Sequence, residues 1–258
     1  MRFYIIAGEA SGDLHAANLV KAMSKLQPES LFRGIGGDLM KQEGVELVKH
    51  FKETAFMGFW EVFKNLRKIL GFIEIAKKDI LAWKPDAVIL VDYPGFNLRI
   101  ASFAKEKHLK VFYYISPQVW AWKASRVRKI KRDVDHLFVI LPFEKEFYKK
   151  WNYEVTFVGH PLLDATEKFI HQPINLQLEK PVVALLPGSR KQEIGTILPV
   201  MLDIIPHFPD VQFVLAGVNS IDENFYREII GKADVQLLFN QTYALLSQSK
   251  AALVTSGT

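Results

Sequence analysis

"YIIAGEASGDLHAANLV", residues 4–20, opens as a β-strand and closes as a helix, with two glycines and an acid at the corner between them. Gly8 and Gly12 allow a tight strand-to-helix turn and close approach by a ligand, and Ser11 or Asp13 is placed to cap the helix. The unpaired N–H groups of a helix start favour an anion or a sugar hydroxyl at such a corner. Glu9, beside the positive end of the helix dipole, stays ionised and accepts hydroxyls. Neither the G-x-G-x-x-G spacing nor a Gly-Lys-Ser/Thr ending is present, so the corner is neither a dinucleotide fingerprint nor an ATP-type phosphate loop. A purely structural turn stands beside the ligand-loop reading.

Outward from this stretch the same rhythm repeats. Short β-rich runs ("FYIIAG", "DAVILVD", "KVFYYIS", "HLFVILP", "VTFVG", then "VVALLPG", "QFVLAG", "DVQLLF", "AALVTSG") alternate with helix-patterned stretches, the signature of a parallel α/β fold. Several runs are nearly continuous in Val, Ile, Leu and Phe, as expected when helices cover both faces of a sheet. Each ends in polar or flexible residues, which places the site at the carboxyl edge of the sheet. "DATEKFIHQPINLQLEKP", residues 164–181, breaks the rhythm with two prolines. The expected organisation is a Rossmann-like domain over residues 1–165, a linker over 166–180 and a second domain over 181–258. The second domain has four strand candidates and closes on "AALVTSGT", a strand followed by the start of a turn, and so reads as incomplete.

Composition sets outer bounds. Hydrophobic residues make up 49% and charged residues 24% of the 258, ordinary globular usage that excludes a disordered or fibrous chain. Lys and Arg exceed Asp and Glu by 33 to 28, a mild bias toward phosphates, anionic lipid or nucleic acid. Cysteine is absent, which removes disulfides and thiolate metal sites and agrees with a reducing cytosol. "FYIIA" at 3–7 is too short for a signal peptide and no run of about 18 apolar residues occurs, so the chain is expected neither to cross nor to leave through a membrane.

Further motifs carry chemistry. "VILVDYPGFNLRIA" sets Asp92 at the end of a buried strand before a Pro-Gly turn and a helix entered near Phe96 or Asn97. Asp92 is either a general base or a side chain that ties down the turn. "VALLPGSRKQEI" is a strand, a turn and a helix start, in which Pro187, Gly188, Ser189 and Arg190 suit a diphosphate through backbone N–H groups and a guanidinium. "LAGV" at 215–218, with Gly217, and "VTSGT" at 254–258, with Ser256 and Gly257, end neighbouring strands in similar small residues. His160, in "FVGHPLLD", lies at a strand end as either a substrate contact or a satisfied polar residue. Asp133-Val134-Asp135 precedes a strand and reads as structural, and no metal-ligand spacing or cofactor motif accompanies it.

Two stretches raise the question of a surface. "FMGFWEVFKNLRKILGFIEIAKK", residues 56–78, joins Phe59, Trp60 and Phe63 to Lys64, Arg67, Lys68, Lys77 and Lys78, a pattern shared by interfacial helices and by amphipathic core helices. "WAWKASRVRKIKRD" groups Lys123, Arg126, Arg128, Lys129, Lys131 and Arg132 around an apolar stripe, as a solvated face or an anion-binding one. No nucleic-acid-binding signature accompanies it.

Taken in order, "AGEASGDLHAANLVKAM", "GIGGDLM", "MGFWEVF", "VDYPGFN", "YYISPQVWAWK", "VGHPLLD" and "LLPGSRKQEI" resemble the lipid-A-disaccharide synthases over nearly the whole chain. The resemblance implies a GT-B fold, with a Rossmann-like parallel-sheet N-domain and the first part of a second Rossmann-like domain. It implies an inverting transfer of diacylglucosamine from UDP-2,3-diacylglucosamine to the 6-hydroxyl of 2,3-diacylglucosamine 1-phosphate, releasing UDP and needing no cofactor. Asp92 then matches the base, and Gly8, Glu9, Ser11, Gly12, Asn97 and His160 the sugar side. Pro187, Gly188, Ser189, Arg190, Gly217, Ser256 and Gly257 match the nucleotide side. Phe59, Trp60, Phe63, Lys64, Arg126 and Arg128 are expected to meet an anionic inner-membrane surface from the cytoplasm, with no nucleic-acid partner and with a homo-oligomer compatible. Family chains continue beyond the point reached by Thr258, so residues 1–258 by themselves are expected to transfer poorly. The competing readings are another UDP-sugar enzyme of similar fold, such as a 2-epimerase, and a lipid- or phosphate-binding fragment.

Overall fold

The computed structural model describes residues 1–54, 66–122, 124–164 and 180–255. Phe59, Trp60, Phe63, Lys64, Ser256, Gly257 and all of the expected linker except Lys180 lie outside the described residues. The chain divides into two compact units, Met1–Pro161 and Leu162–Thr258.

The first unit is built on β1 (Arg2–Ala7), β2 (Leu31–Gly36), β3 (Glu46–His50), β4 (Ala87–Val91), β5 (Lys110–Tyr114), β6 (His136–Val139) and β7 (Thr156–Phe157). They form one parallel sheet in the order β3-β2-β1-β4-β5-β6-β7. Between them run α1 (Ala10–Leu26), α2 (Asp38–Gln42), α3 (Leu66–Trp83), α4 (Pro94–Glu106), α5 (Arg126–Asp133) and α6 (Pro142–Lys149), with single helical turns at Phe51–Thr54 and Val119–Trp122.

Alternation along the strands feeds two cores. Tyr4, Ile6, Val88 and Leu90 face one side with Ile73, Ala76 and Ile80 of α3, Ile100 and Ala101 of α4, and Val127 and Ile130 of α5. Phe3, Ile5, Ala7, Ile89 and Val91 face the other with Ala16, Ala17 and Val20 of α1 and Met40 of α2. Strands buried on both faces explain the near-continuous apolar runs.

β2 and β3 are two strands that the sequence pattern did not reveal. Gly34 and Gly36 dilute the apolar signal of β2, yet a Cβ at Gly34 would lie 1.9 Å from the Ile5 carbonyl oxygen and one at Gly36 would lie 2.2 Å from the Met40 sulfur. β3 is a polar strand at the sheet edge.

The second unit contains β8 (Val182–Leu186), α7 (Lys191–Leu202), β9 (Gln212–Gly217), α8 (Glu223–Ile230), β10 (Val235–Phe239), α9 (Thr242–Gln248) and β11 (Ala251–Val254). Its parallel sheet has the order β10-β9-β8-β11. Ala244 and Leu245 of α9 cover one face, and Ile194 and Leu198 of α7 with Tyr226 of α8 cover the other. Both units therefore follow the doubly wound pattern, in which ligands bind beyond the carboxyl ends of strands where the winding direction reverses.

Candidate active site

In the first sheet that reversal lies between β1 and β4, whose pairing ends at Ala7 and Val91. From β1 the chain enters α1 on one face; from β4 it enters α4 on the other. Gly8-Glu9 and Asp92-Tyr93 thus leave adjacent strand ends in opposite directions and bound the crevice.

Asp92 and Tyr93 are both left-handed, at φ +43° and +47°. For residues with a Cβ this costs about 1–2 kcal/mol each. The turn is held by its backbone: the Asp92 N–H donates to the Tyr114 carbonyl at 3.1 Å, and the Asn97 N–H to that of Tyr93 at 3.0 Å. The Asp92 carbonyl accepts from the Asn97 side-chain amide at 2.8 Å and from the Tyr113 hydroxyl at 2.5 Å. Asn97 is fully buried and its amide also donates to the Val91 carbonyl at 3.1 Å. Its observed task is to hold the turn. α4 begins at Pro94, ahead of the expected entry near Phe96 or Asn97, because proline's fixed φ suits the first helical position.

With its carbonyl secured, Asp92 turns its carboxyl group to the Glu9 carboxylate, with which it shares a hydrogen bond. Burial first, then the Glu9 charge and hydrogen bond, push Asp92 up to about 7, partly offset by the Tyr93 N–H donating to it. The Tyr93 phenol is raised by burial and by the same Glu9 charge. Glu9 has extended backbone at the N-cap of α1, and its side chain makes no capping bond.

Capping differs from expectation. Neither Ser11 nor Asp13 caps α1; Ser11 is exposed on its first turn. Asp13 is buried and receives the N–H groups of Gly37 at 2.7 Å, Met40 at 3.2 Å and Leu39 at 3.1 Å, so it closes the start of α2 instead. Gly8 serves the crevice by its lack of a side chain: a Cβ there would sit 2.2 Å from the Tyr93 ring. Gly12 allows close packing, with its Cβ position 3.4 Å from the Ala7 Cβ. His15, one turn along α1, was not among the expected residues; it is pushed down by burial and by the nearby His160, which shows that His160 comes to α1.

In the second unit the winding reverses between β8 and β11, where the Thr255 N–H donates to the Leu186 carbonyl at 3.0 Å. Pro187 to Arg190 form the corner between β8 and α7, with Gly188 at φ +119° and Arg190 at the N-cap. The Glu193 carboxylate folds back into this corner, accepting from the Ser189 N–H at 3.3 Å and pairing with Arg190 at 3.1 Å. The corner after β9 is internally satisfied. The Val218 N–H donates to the Tyr226 hydroxyl at 3.0 Å, and a Cβ on Gly217 would lie 2.6 Å from the Phe239 ring. Gly217 therefore makes room for an aromatic side chain.

Asp133 binds the Ser102 hydroxyl and Arg132, and Asp135 receives Lys105 and the Val111 N–H, so both acids of the D-x-D sequence have structural partners. Among the described residues no three His, Asp or Glu side chains gather as a metal-holding group. Arg126 is half-buried and Arg128 exposed on α5.

A family model described as lipid-A-disaccharide synthetase matches residues 3–258. A lipid-A-disaccharide synthase of Syntrophus aciditrophicus is 46% identical over 266 residues, a match covering 98% of this chain and 70% of that protein. Among solved structures, the UDP-GlcNAc 2-epimerase of Neisseria meningitidis bound to UDP-GlcNAc is 15% identical, with a TM-score of 0.65 over 100% of this chain and 78% of that one. The glycotransferase of kitacinnamycin is 13% identical, with a TM-score of 0.67 over 99% and 75%. These structural likenesses establish the fold alone, α/β of GT-B type.

Proposed function

The chain belongs to the lipid-A-disaccharide synthetase family, and from that premise we propose how its residues divide the work. It is a UDP-sugar-dependent glycosyltransferase of lipid A biosynthesis, acting on a UDP-sugar and a lipid-phosphate acceptor. The sugar transferred is the diacylglucosamine of UDP-2,3-diacylglucosamine, and the acceptor is the 6-hydroxyl of 2,3-diacylglucosamine 1-phosphate.

In the proposed step the acceptor oxygen attacks the anomeric carbon from the face opposite UDP. Its proton passes to the Asp92 carboxylate, the anomeric carbon–oxygen bond breaks, and UDP leaves with the electron pair, inverting the centre. A carboxyl group held near 7 is a stronger base than an ordinary aspartate and still ionises close to neutrality. Glu9 supports this through its charge and hydrogen bond, which hold the proton on Asp92 to a higher pH. Asn97 and Tyr113 fix the strained turn, and so position Asp92. The diphosphate charge falls to Arg190 and the N–H groups of the Gly188–Ser189 corner.

The observation that carries the reading is the carboxyl pair Glu9–Asp92 in the β1/β4 crevice. Asp92→Asn is expected to cut turnover by roughly 10²–10⁴-fold, measured as UDP release and disaccharide formation. Near-normal turnover in that variant removes Asp92 from the proton-transfer role.

For the setting of the reaction we propose peripheral attachment to an anionic membrane surface on the cytoplasmic side. Among the described residues no helix is long and apolar enough to cross a bilayer. Within α3, Ile73, Ala76 and Ile80 pack into the core while Leu70 and Ile75 are exposed, and residues 56–78 with the basic face of α5 form the proposed contact.

A further inference from the structure

We infer that Glu193 is an internal occupant of the diphosphate corner, a carboxylate that holds the phosphate's donors until nucleotide arrives and thereby sets nucleotide affinity. This rests on the reading of Pro187 to Arg190 as the diphosphate site. The Glu193 oxygens take one backbone N–H, from Ser189 at 3.3 Å, and one guanidinium N–H, from Arg190 at 3.1 Å. A phosphate oxygen approaching a helix start uses this same donor set.

The cradle is shaped for the exchange. Gly188 lies under the Glu193 side chain, and a Cβ there would sit 2.8 Å from Glu193 Oε2 and 2.9 Å from its Cβ. Only a residue without a side chain, at φ +119°, leaves this floor open. The Arg190–Glu193 pair is also loosely held, with 57% and 31% of the two side chains exposed. A pair of that exposure is worth a factor of up to about 5 in an equilibrium, so a diphosphate displaces it readily. Once displaced, the carboxylate still stands within one helical turn of the bound anion and repels it.

Removing the charge while keeping the shape should therefore tighten nucleotide binding. UDP affinity is expected to rise about 3–10-fold in Glu193→Gln at low salt by titration calorimetry, and in the same direction in Glu193→Ala, which guards against an unstable amide variant. Uridine, which carries no phosphate, should bind wild type and both variants equally. A general disturbance of the corner would move uridine as well. Arg190→Ala, in parallel, should weaken UDP at least tenfold.

If Arg190→Ala weakens UDP while the Glu193 variants bind it no better or less well, Glu193 merely orients Arg190 and the inference fails alone. If wild type does not bind UDP, or Arg190→Ala binds it undiminished, the diphosphate reading itself fails and takes the inference with it. An equal change for uridine and UDP in the Glu193 variants also overturns it.

Discussion

Asp92 has three parts with separate duties. Its N–H continues the sheet to Tyr114, its carbonyl is clamped by Asn97 and Tyr113, and its carboxyl group alone faces Glu9. That separation gives a pH signature. Because the folded protein holds Asp92 near 7 against an ordinary value of 3.8, it binds more protons than the unfolded chain between those values. Stability from this group is fully present below about pH 4 and is lost as pH rises toward 7. Activity runs the other way, since the base works ionised: kcat/KM should rise with pH through about 7. Replacing Glu9 by Gln removes the like charge but not the burial, so the limb of the kcat/KM profile should move down by roughly 1 pH unit without reaching the ordinary aspartate range. An unmoved limb means that the Glu9 charge does not raise Asp92.

At the scale of elements, the corner between β1 and α1 is defined by what fills the space over its glycines. Gly8→Ala drives a methyl group into the Tyr93 ring, whereas Gly12→Ala meets only ordinary contact and gains the helix preference of alanine. Thermal melts should show Gly8→Ala less stable by about 1–3 kcal/mol and Gly12→Ala equal to wild type or more stable. A reversed order would mean that the Tyr93 ring does not lie over Gly8. The same contrast explains what could be read in advance. β1, β4, β5 and β8 announce themselves through runs of large apolar residues, and with them the carboxyl-edge positions of Glu9, Asp92 and Arg190. β2 did not, because Gly34 and Gly36 are demanded by the neighbouring Ile5 and Met40 and not by strand propensity. The Asp13 bonds to α2 and the Glu9 contact to Asp92 join residues far apart in sequence, and local pattern has no signal for such partners. His15 was hidden for the same reason, being notable only through its proximity to His160.

Across the whole molecule, each unit has its own sheet with a core on either face, and the net charge is +5. On α5 the apolar residues Val127 and Ile130 are fully buried, and Arg128, Lys131 and Arg132 face solvent. The first unit can therefore present a basic surface without exposing the core beneath it. If that surface and residues 56–78 meet a bilayer, flotation with vesicles containing anionic lipid should recover the protein, and added salt should reduce recovery by screening the cations. Phe59→Ser, Trp60→Ser and Phe63→Ser together should reduce it further; unchanged recovery in the triple variant would assign membrane contact elsewhere. The β1–β4 pairing also carries a kinetic consequence. It sets Phe3 against Ala87, and the crevice between Glu9 and Asp92 exists only once that long intervening segment has closed. Closing so long a loop delays its reward until much of the unit is in place. During synthesis the ribosome must deliver β4 before the first strand, already beside β2, has its second neighbour, so the acid–base pair should be among the last features of the first unit to mature on refolding. A refolding chain would regain helical signal before it regained the protonation behaviour of Asp92.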